Sequence, residues 1–133
     1  MQRKFTVLGA ATAAGTLALT LAGPAQAAPQ YIGCRTAGAN GGASFDFGGA
    51  TDKISVELNA QDDKKGDGAH ARVRLVTKDV NGKKKYWRWR SNASSAPKYW
   101  KTTAKNDSGI FDVGVQAARY QGNELKNYCT DWM

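Results

Sequence analysis

The residues able to do chemistry gather in a few short stretches. His70, the only histidine, is followed at alternate positions by Arg72 and Arg74 in HARVRL, and Arg88 and Arg90 alternate with Trp87 and Trp89 in YWRWR. Glu57 stands between apolar residues in KISVELN. A carboxylate base, an imidazole acid and guanidinium groups on a phosphate are the working parts of a small ribonuclease. Glu57 and His70 are therefore one candidate pair, provided that one sheet face carries both. Guanidinium groups alone suit a different task, because their planar forks match phosphate or carboxylate oxygens two at a time. Arg72, Arg74, Arg88 and Arg90, with Lys84 nearby, are the candidate anion-binding set.

Other chemistries find no footing. The chain has no G-x-S-x-G nucleophile motif and no cysteine–histidine spacing of a metal site. Asp62, Asp63 and Asp67 in QDDKKGDG lack the ladder of ligands and the distal glutamate of a calcium loop, so they read as a solvated turn. Asn92-Ala93-Ser94 and Asn106-Asp107-Ser108 fit the glycosylation pattern, which chance also produces. No residue is assigned a catalytic, metal-binding or cofactor-binding role.

Which side chains share a face depends on the hairpin around Asn81-Gly82. A two-residue loop would set Val76 opposite Trp87 and mix charged with apolar residues on both faces. A three-residue loop, Val80-Asn81-Gly82 with Gly82 left-handed, sets Leu75 opposite Trp87 and Val73 opposite Trp89. One face then becomes wholly apolar, and burial selects that register because a one-residue slip exchanges core and solvent sides. The tryptophans are expected inside. Arg72, Arg74, Arg88 and Arg90 are expected together outside, with Val76 and Tyr86 beside them. Arginines directly opposite each other repel, so the face is either neutralised, with outward Glu57 and Asp112 as the candidates, or used.

The rest of the chain supplies the frame. Helical periodicity is absent after the first 27 residues, and period-two alternation broken by Gly, Asn, Asp and Pro replaces it. Strands are expected at 44–47, 53–59, 70–78, 84–90, 99–103, 110–120 and 124–129. Phe111, Val113, Val115 and Ala117 are expected on one side of the sixth, and Ser91–Lys98 is a loop between strands. About seven strands with turn signals between them point to an all-β fold, a single antiparallel β-sandwich or small barrel. Residues 28–43, with four glycines in Gly33–Ala43, read as an irregular N-terminal arm on a domain spanning 44–133.

Arg3 and Lys4, an uncharged run from Phe5 to Ala22 and the small-x-small ending Ala25-Gln26-Ala27 read as a secretory leader over residues 1–27. A membrane anchor and a lipid anchor at Cys34 are the rivals. The alanine-rich run and its cleavage pattern oppose the first, and the distance of Cys34 from the apolar run opposes the second. Export makes a disulfide between Cys34 and Cys129, the only cysteines, the expected pairing. Removing 27 of 133 residues leaves 106, enough for one domain with an adequate core. The leader carries two of the 19 lysines and arginines and none of the 11 acidic residues, so the remainder is +6. That charge favours anionic partners: nucleic acid, anionic cell-wall polymer or an acidic protein surface.

The start YIGC, the segments HARVRLVTKDVNGKKKYWRWR and GIFDVGVQAARYQG, and the closing NYCTDWM together resemble small secreted proteins of actinobacteria. The resemblance spans nearly all of the chain after the leader. It implies export and single-domain character and transfers no active-site residue. The expectation is a secreted monomer that binds an anionic partner on its arginine face. Its alternatives are a ribonuclease-like enzyme using Glu57 and His70, and a protein-binding inhibitor whose contact loop is Ser91–Lys98.

Overall fold

The computed structural model describes residues 29–64 and 66–133, so the leader reading of 1–27 lies outside the described residues. Nine strands follow in order: β1 (Gln30–Thr36), β2 (Ala39–Phe45), β3 (Thr51–Asp62), β4 (Ala69–Lys78), β5 (Lys84–Tyr86), β6 (Arg90–Asn92), β7 (Lys98–Ile110), β8 (Asp112–Gln121) and β9 (Glu124–Trp132). All pairings are antiparallel. One sheet runs β1-β2-β3-β7. The second runs β5-β4-β8-β9, with β6 following β5 along the same edge of β4. The sheets stay separate and pack face to face, which makes the fold a sandwich rather than a closed barrel. Among the described residues no helix is long and apolar enough to cross a membrane.

The core lies between the sheets. From β3, Ile54, Val56, Leu58 and Ala60 point inward at alternate positions; from β4, Ala71, Val73 and Leu75; from β8, Val113, Val115 and Ala117. Each fully buried valine or leucine stabilises the fold by about 1.5–3 kcal/mol relative to exposure. Phe111 departs from expectation. It lies between β7 and β8, which begins only at Asp112, and is 48% exposed.

Residues 30–36 and 39–45 are regular strands, not an irregular arm, and they belong to the sandwich itself. Their glycines mark close approach rather than disorder. A Cβ on Gly41 would stand 2.9 Å from the Ala117 Cβ and 3.1 Å from Val73 Cγ2, across the core. On the other side of β2, a Cβ on Gly42 would enter the Tyr31 ring. Gly41→Ala is accordingly expected to lower stability by about 1–3 kcal/mol through overpacking. The gain that alanine gives by stiffening the unfolded chain does not offset this. Urea denaturation checks it, and a neutral or stabilising result would mean that the sheets can separate freely at this point.

The Cys34–Cys129 disulfide forms as expected. It joins β1, an edge of the first sheet, to β9, an edge of the second, and so closes one side of the sandwich. Cross-sheet hydrogen bonds flank it: the Gly33 amide donates to Asp131 Oδ2 at 3.1 Å and the Thr36 hydroxyl to Asn127 Oδ1 at 2.8 Å.

Candidate anion-binding face

The hairpin after β4 has the three-residue loop. Gly82 is left-handed with φ of 74°, and the Asp79 carboxylate accepts from the amides of Asn81 and Lys83 at 2.9 Å. Val76 pairs with Tyr86 and Lys78 with Lys84, and the Trp87 amide donates to the Leu75 carbonyl at 3.0 Å. Trp87 is inside as expected. It packs against the core, and its indole N–H donates to Thr77 Oγ1.

The expected alternation then fails. Beyond the bulge it is Arg90, not Trp89, that pairs with Val73, and Ser91, not Arg90, that pairs with Arg72. Two residues, Arg88 and Trp89, therefore stand against the single residue Arg74, which is the count of a β-bulge. Trp89 turns to the outer side. Arg88 and Arg90 border a small gap at the core's edge with Leu58, Leu75, Thr102 and Ala104. The four arginines are thus not one face, and the Arg72–Arg90 and Arg74–Arg88 oppositions do not form. The energetic reason is visible on both sides. Opposite Val73 the sheets approach so closely that β2 carries a glycine there, while outside the indole finds the Arg74 guanidinium and the Tyr120 ring.

The outer face of the second sheet is built from His70, Arg72, Arg74, Val76 and Lys78 on β4, Lys84 and Tyr86 on β5, and Trp89. Gln116, Ala118 and Tyr120 on β8 and Tyr128, Thr130 and Trp132 on β9 complete it. Val76 and Ala118 point outward and yet are fully buried, with Tyr86 paired to Val76 and Tyr128 paired to Ala118 across the neighbouring strands. The Arg74 guanidinium sits 4.3 Å from the Tyr86 ring centre and 4.2 Å from that of Trp89, and its Nε donates to Gln116 Oε1 at 2.7 Å. Gln116 Nε2 in turn donates to Thr130 Oγ1. Burial lowers the Arg74 pKa below the ordinary arginine value, and the Tyr120 and Tyr86 hydroxyls oppose that shift. The group remains a cation at neutral pH. Its terminal nitrogens have no partner among the described residues, and Arg74 lines a pocket of about 310 Å³ together with Tyr86, Trp89, Gln116, Tyr120, Leu125 and Tyr128.

Arg72 is already occupied. Its Nε donates to His70 Nε2 at 3.0 Å, its Nη2 to the Gly122 carbonyl and Asn123 Oδ1, and its guanidinium lies 4.0 Å from the Tyr120 ring centre. Lys78 pairs with Asp112 and lies over Trp132, whereas Lys84, 5.8 Å from the Trp132 ring centre, pairs with no carboxylate among the described residues. The expected neutralisation of the arginines by Glu57 and Asp112 does not form. Asp112 takes Lys78. Glu57 points outward from the other sheet, opposite Ser44 and Lys101 and beside an open depression of about 760 Å³.

That placement also separates Glu57 from His70, since the two lie on opposite outer surfaces of the sandwich. The ribonuclease-like pair does not assemble. Desolvation, and then the Arg72 guanidinium, lower the His70 pKa, with Asp62 opposing. The sign of the pH effect follows. A folded pKa below the ordinary value of about 6.5 means that the unfolded chain binds the proton more readily. The contribution to stability is complete above that value and is lost as pH falls through the folded pKa. From pH 7.5 to 5 the melting temperature of the protein should drop more steeply than that of His70→Gln; parallel curves would show that the imidazole acceptor contributes nothing.

The remaining expected features are structural. Asp62 Oδ1 accepts from the Lys64 amide, Asp63 pairs with Arg35, and Asp67 bonds the Ala69 amide and Arg119. Each carboxylate in that turn has its own partner. Asn92 is buried, its amide donating to the carbonyls of Ala60 and Ala96, so the acceptor amide of the first glycosylation triplet is enclosed although Ala93 and Ser94 are exposed. Sequence reasoning missed Tyr120, Tyr128 and Gln116. Their alternation with inward Val115, Ala117 and Cys129 was the available signal. No family model, curated protein or solved structure matches the chain.

Proposed function

We propose that the protein is an exported, monomeric, non-catalytic binding protein that engages an anionic partner through the outer face of its second sheet. One observation carries the reading. Arg74 lies against two aromatic rings and is fixed through Nε, its terminal nitrogens are unpartnered among the described residues, and the residue lines an open pocket. An arginine arranged in this way has lost little of its charge and much of its freedom, so less entropy is lost when an oxyanion docks. Lys84 adds a second cation at the margin. Arg88 and Arg90 belong to another part of the surface and take no part.

The test is a two-dimensional NMR titration of the oxidised protein with oligo-dT, polygalacturonate and polyglutamate. Binding should shift the Trp89 indole and the Arg74 Nε–H resonances and leave Trp100 unmoved. Absence of shifts with all three polymers would sink the reading. Shifts confined to residues 93–98 would instead favour protein recognition through that loop. This second reading has its own support: Asn92 and Gln61 side chains and the Asp62 amide bind the loop's backbone, fixing a conformation whose side chains remain exposed.

A further inference from the structure

The pocket beside Arg74 restricts the chemistry of its occupant further, on the assumption that Arg74 is indeed the anion contact. A strand of nucleic acid presents a phosphate on every nucleotide, and proteins that follow it offer a row of free cations with bare aromatic faces between them. Here the row is largely consumed. Arg72 is tied by hydrogen bonds to His70, Gly122 and Asn123, and Lys78 is tied to Asp112. Each of the rings of Trp89, Tyr120 and Trp132 already carries a cation on one face. What remains is the guanidinium edge of Arg74, with Lys84 at the margin.

Around that edge the pocket is rich in neutral hydrogen-bonding groups. The hydroxyls of Tyr86, Tyr120 and Tyr128 each donate and accept, and none has a partner among the described residues. Gln116 keeps one amide hydrogen beyond the one given to Thr130. Tyr86 and Tyr128 are 49% and 58% exposed, and Leu125 adds an apolar margin at 45%. A volume of about 310 Å³ is at the small end for ligand pockets and fits one or two rings. One anionic group, several hydroxyls and an apolar ring face describe a sugar acid.

We propose that this pocket binds a carboxylate-bearing sugar residue of an acidic saccharide. The carboxylate takes the two terminal nitrogens of Arg74, the C–H face of the ring packs on Tyr128, and the ring hydroxyls bond the tyrosine hydroxyls. The fork geometry suits the two coplanar oxygens of a carboxylate.

Calorimetric titration with trimers of galacturonate, glucuronate and mannuronate tests this, with the methyl ester of each trimer and oligo-dT alongside. At least one trimer should bind. Its affinity should fall about tenfold or more in the methyl ester and in Arg74→Ala, as expected for loss of a charge-assisted pair. Tyr128→Ala, an exposed change that leaves the circular dichroism spectrum intact, should weaken it several-fold. Equal binding of the ester, or indifference to Tyr128→Ala, would overturn the sugar-acid assignment. Oligo-dT binding that depends on Arg74 while no trimer binds would overturn the assignment too, but would leave the anion-binding role standing. If neither probe class binds and polyglutamate also leaves Arg74 unmoved, both are lost.

Discussion

Replacing Cys34 and Cys129 together by alanine is expected to lower the melting temperature by roughly 20 °C or more. The cross-link joins residues 95 apart in sequence, so it restrains nearly the whole unfolded chain of the domain. A loop of that length corresponds to about 4–5 kcal/mol in the chain-entropy account. For a domain of about 100 residues each kcal/mol moves the midpoint by about 4–8 °C. The native state loses something as well. β1 is held on one side only by β2, and the disulfide fastens it to the far sheet beside the Gly33–Asp131 and Thr36–Asn127 hydrogen bonds. Differential scanning calorimetry of the oxidised protein against the double variant measures the difference. A drop below about 5 °C would mean that the hydrogen bonds and the packing of β1 and β2 close the sandwich by themselves, and that the cross-link is incidental.

The contrast between the two halves of the β4 hairpin shows what a sequence can disclose about this fold. The loop length and the inward Trp87 were legible, because both follow from short-range rules: a left-handed glycine in the turn and a choice between two registers that burial decides. The bulge at Arg88 and Trp89 was not. It depends on the thinness of the core at Gly41, which comes from another strand, and on the Tyr120 ring of β8 that receives Trp89 outside. The same limit explains the arm. Glycines in β2 carry no side chain to alternate, so the strand leaves no period-two signal, and their purpose appears only when Ala117 and Val73 lie opposite. Glu57 was read correctly as outward, but whether it faced His70 was a question of sheet membership. The chain moves from the first sheet to the second between β3 and β4, and that crossing separates the two residues.

Arg74→Ala is expected to weaken binding of the anionic partner about 30- to 150-fold, the equivalent of roughly 2–3 kcal/mol for a charge-assisted hydrogen-bonded contact. The fold should survive it. The variant leaves Gln116 Oε1 without its donor and removes the cation from between Tyr86 and Trp89, together a loss of about 1–2 kcal/mol at a half-exposed position. Arg74→Lys separates charge from shape. An ammonium group keeps the charge but cannot lie flat between two rings, bond Gln116 sideways and still present two parallel N–H groups to the pocket. It should therefore recover little of the lost affinity. Arg72→Ala should show the converse pattern, lowering stability more than affinity, because its donors serve His70, Gly122 and Asn123 rather than the pocket. Arg88→Ala and Arg90→Ala, at the core's edge away from the pocket, should leave binding unchanged. The five variants are compared by calorimetric titration and thermal melts on the same preparations. Full rescue by lysine would show that the partner senses only net charge. An Arg88 or Arg90 effect as large as that of Arg74 would move the contact to the other side of the sheet and end the assignment of the aromatic pocket.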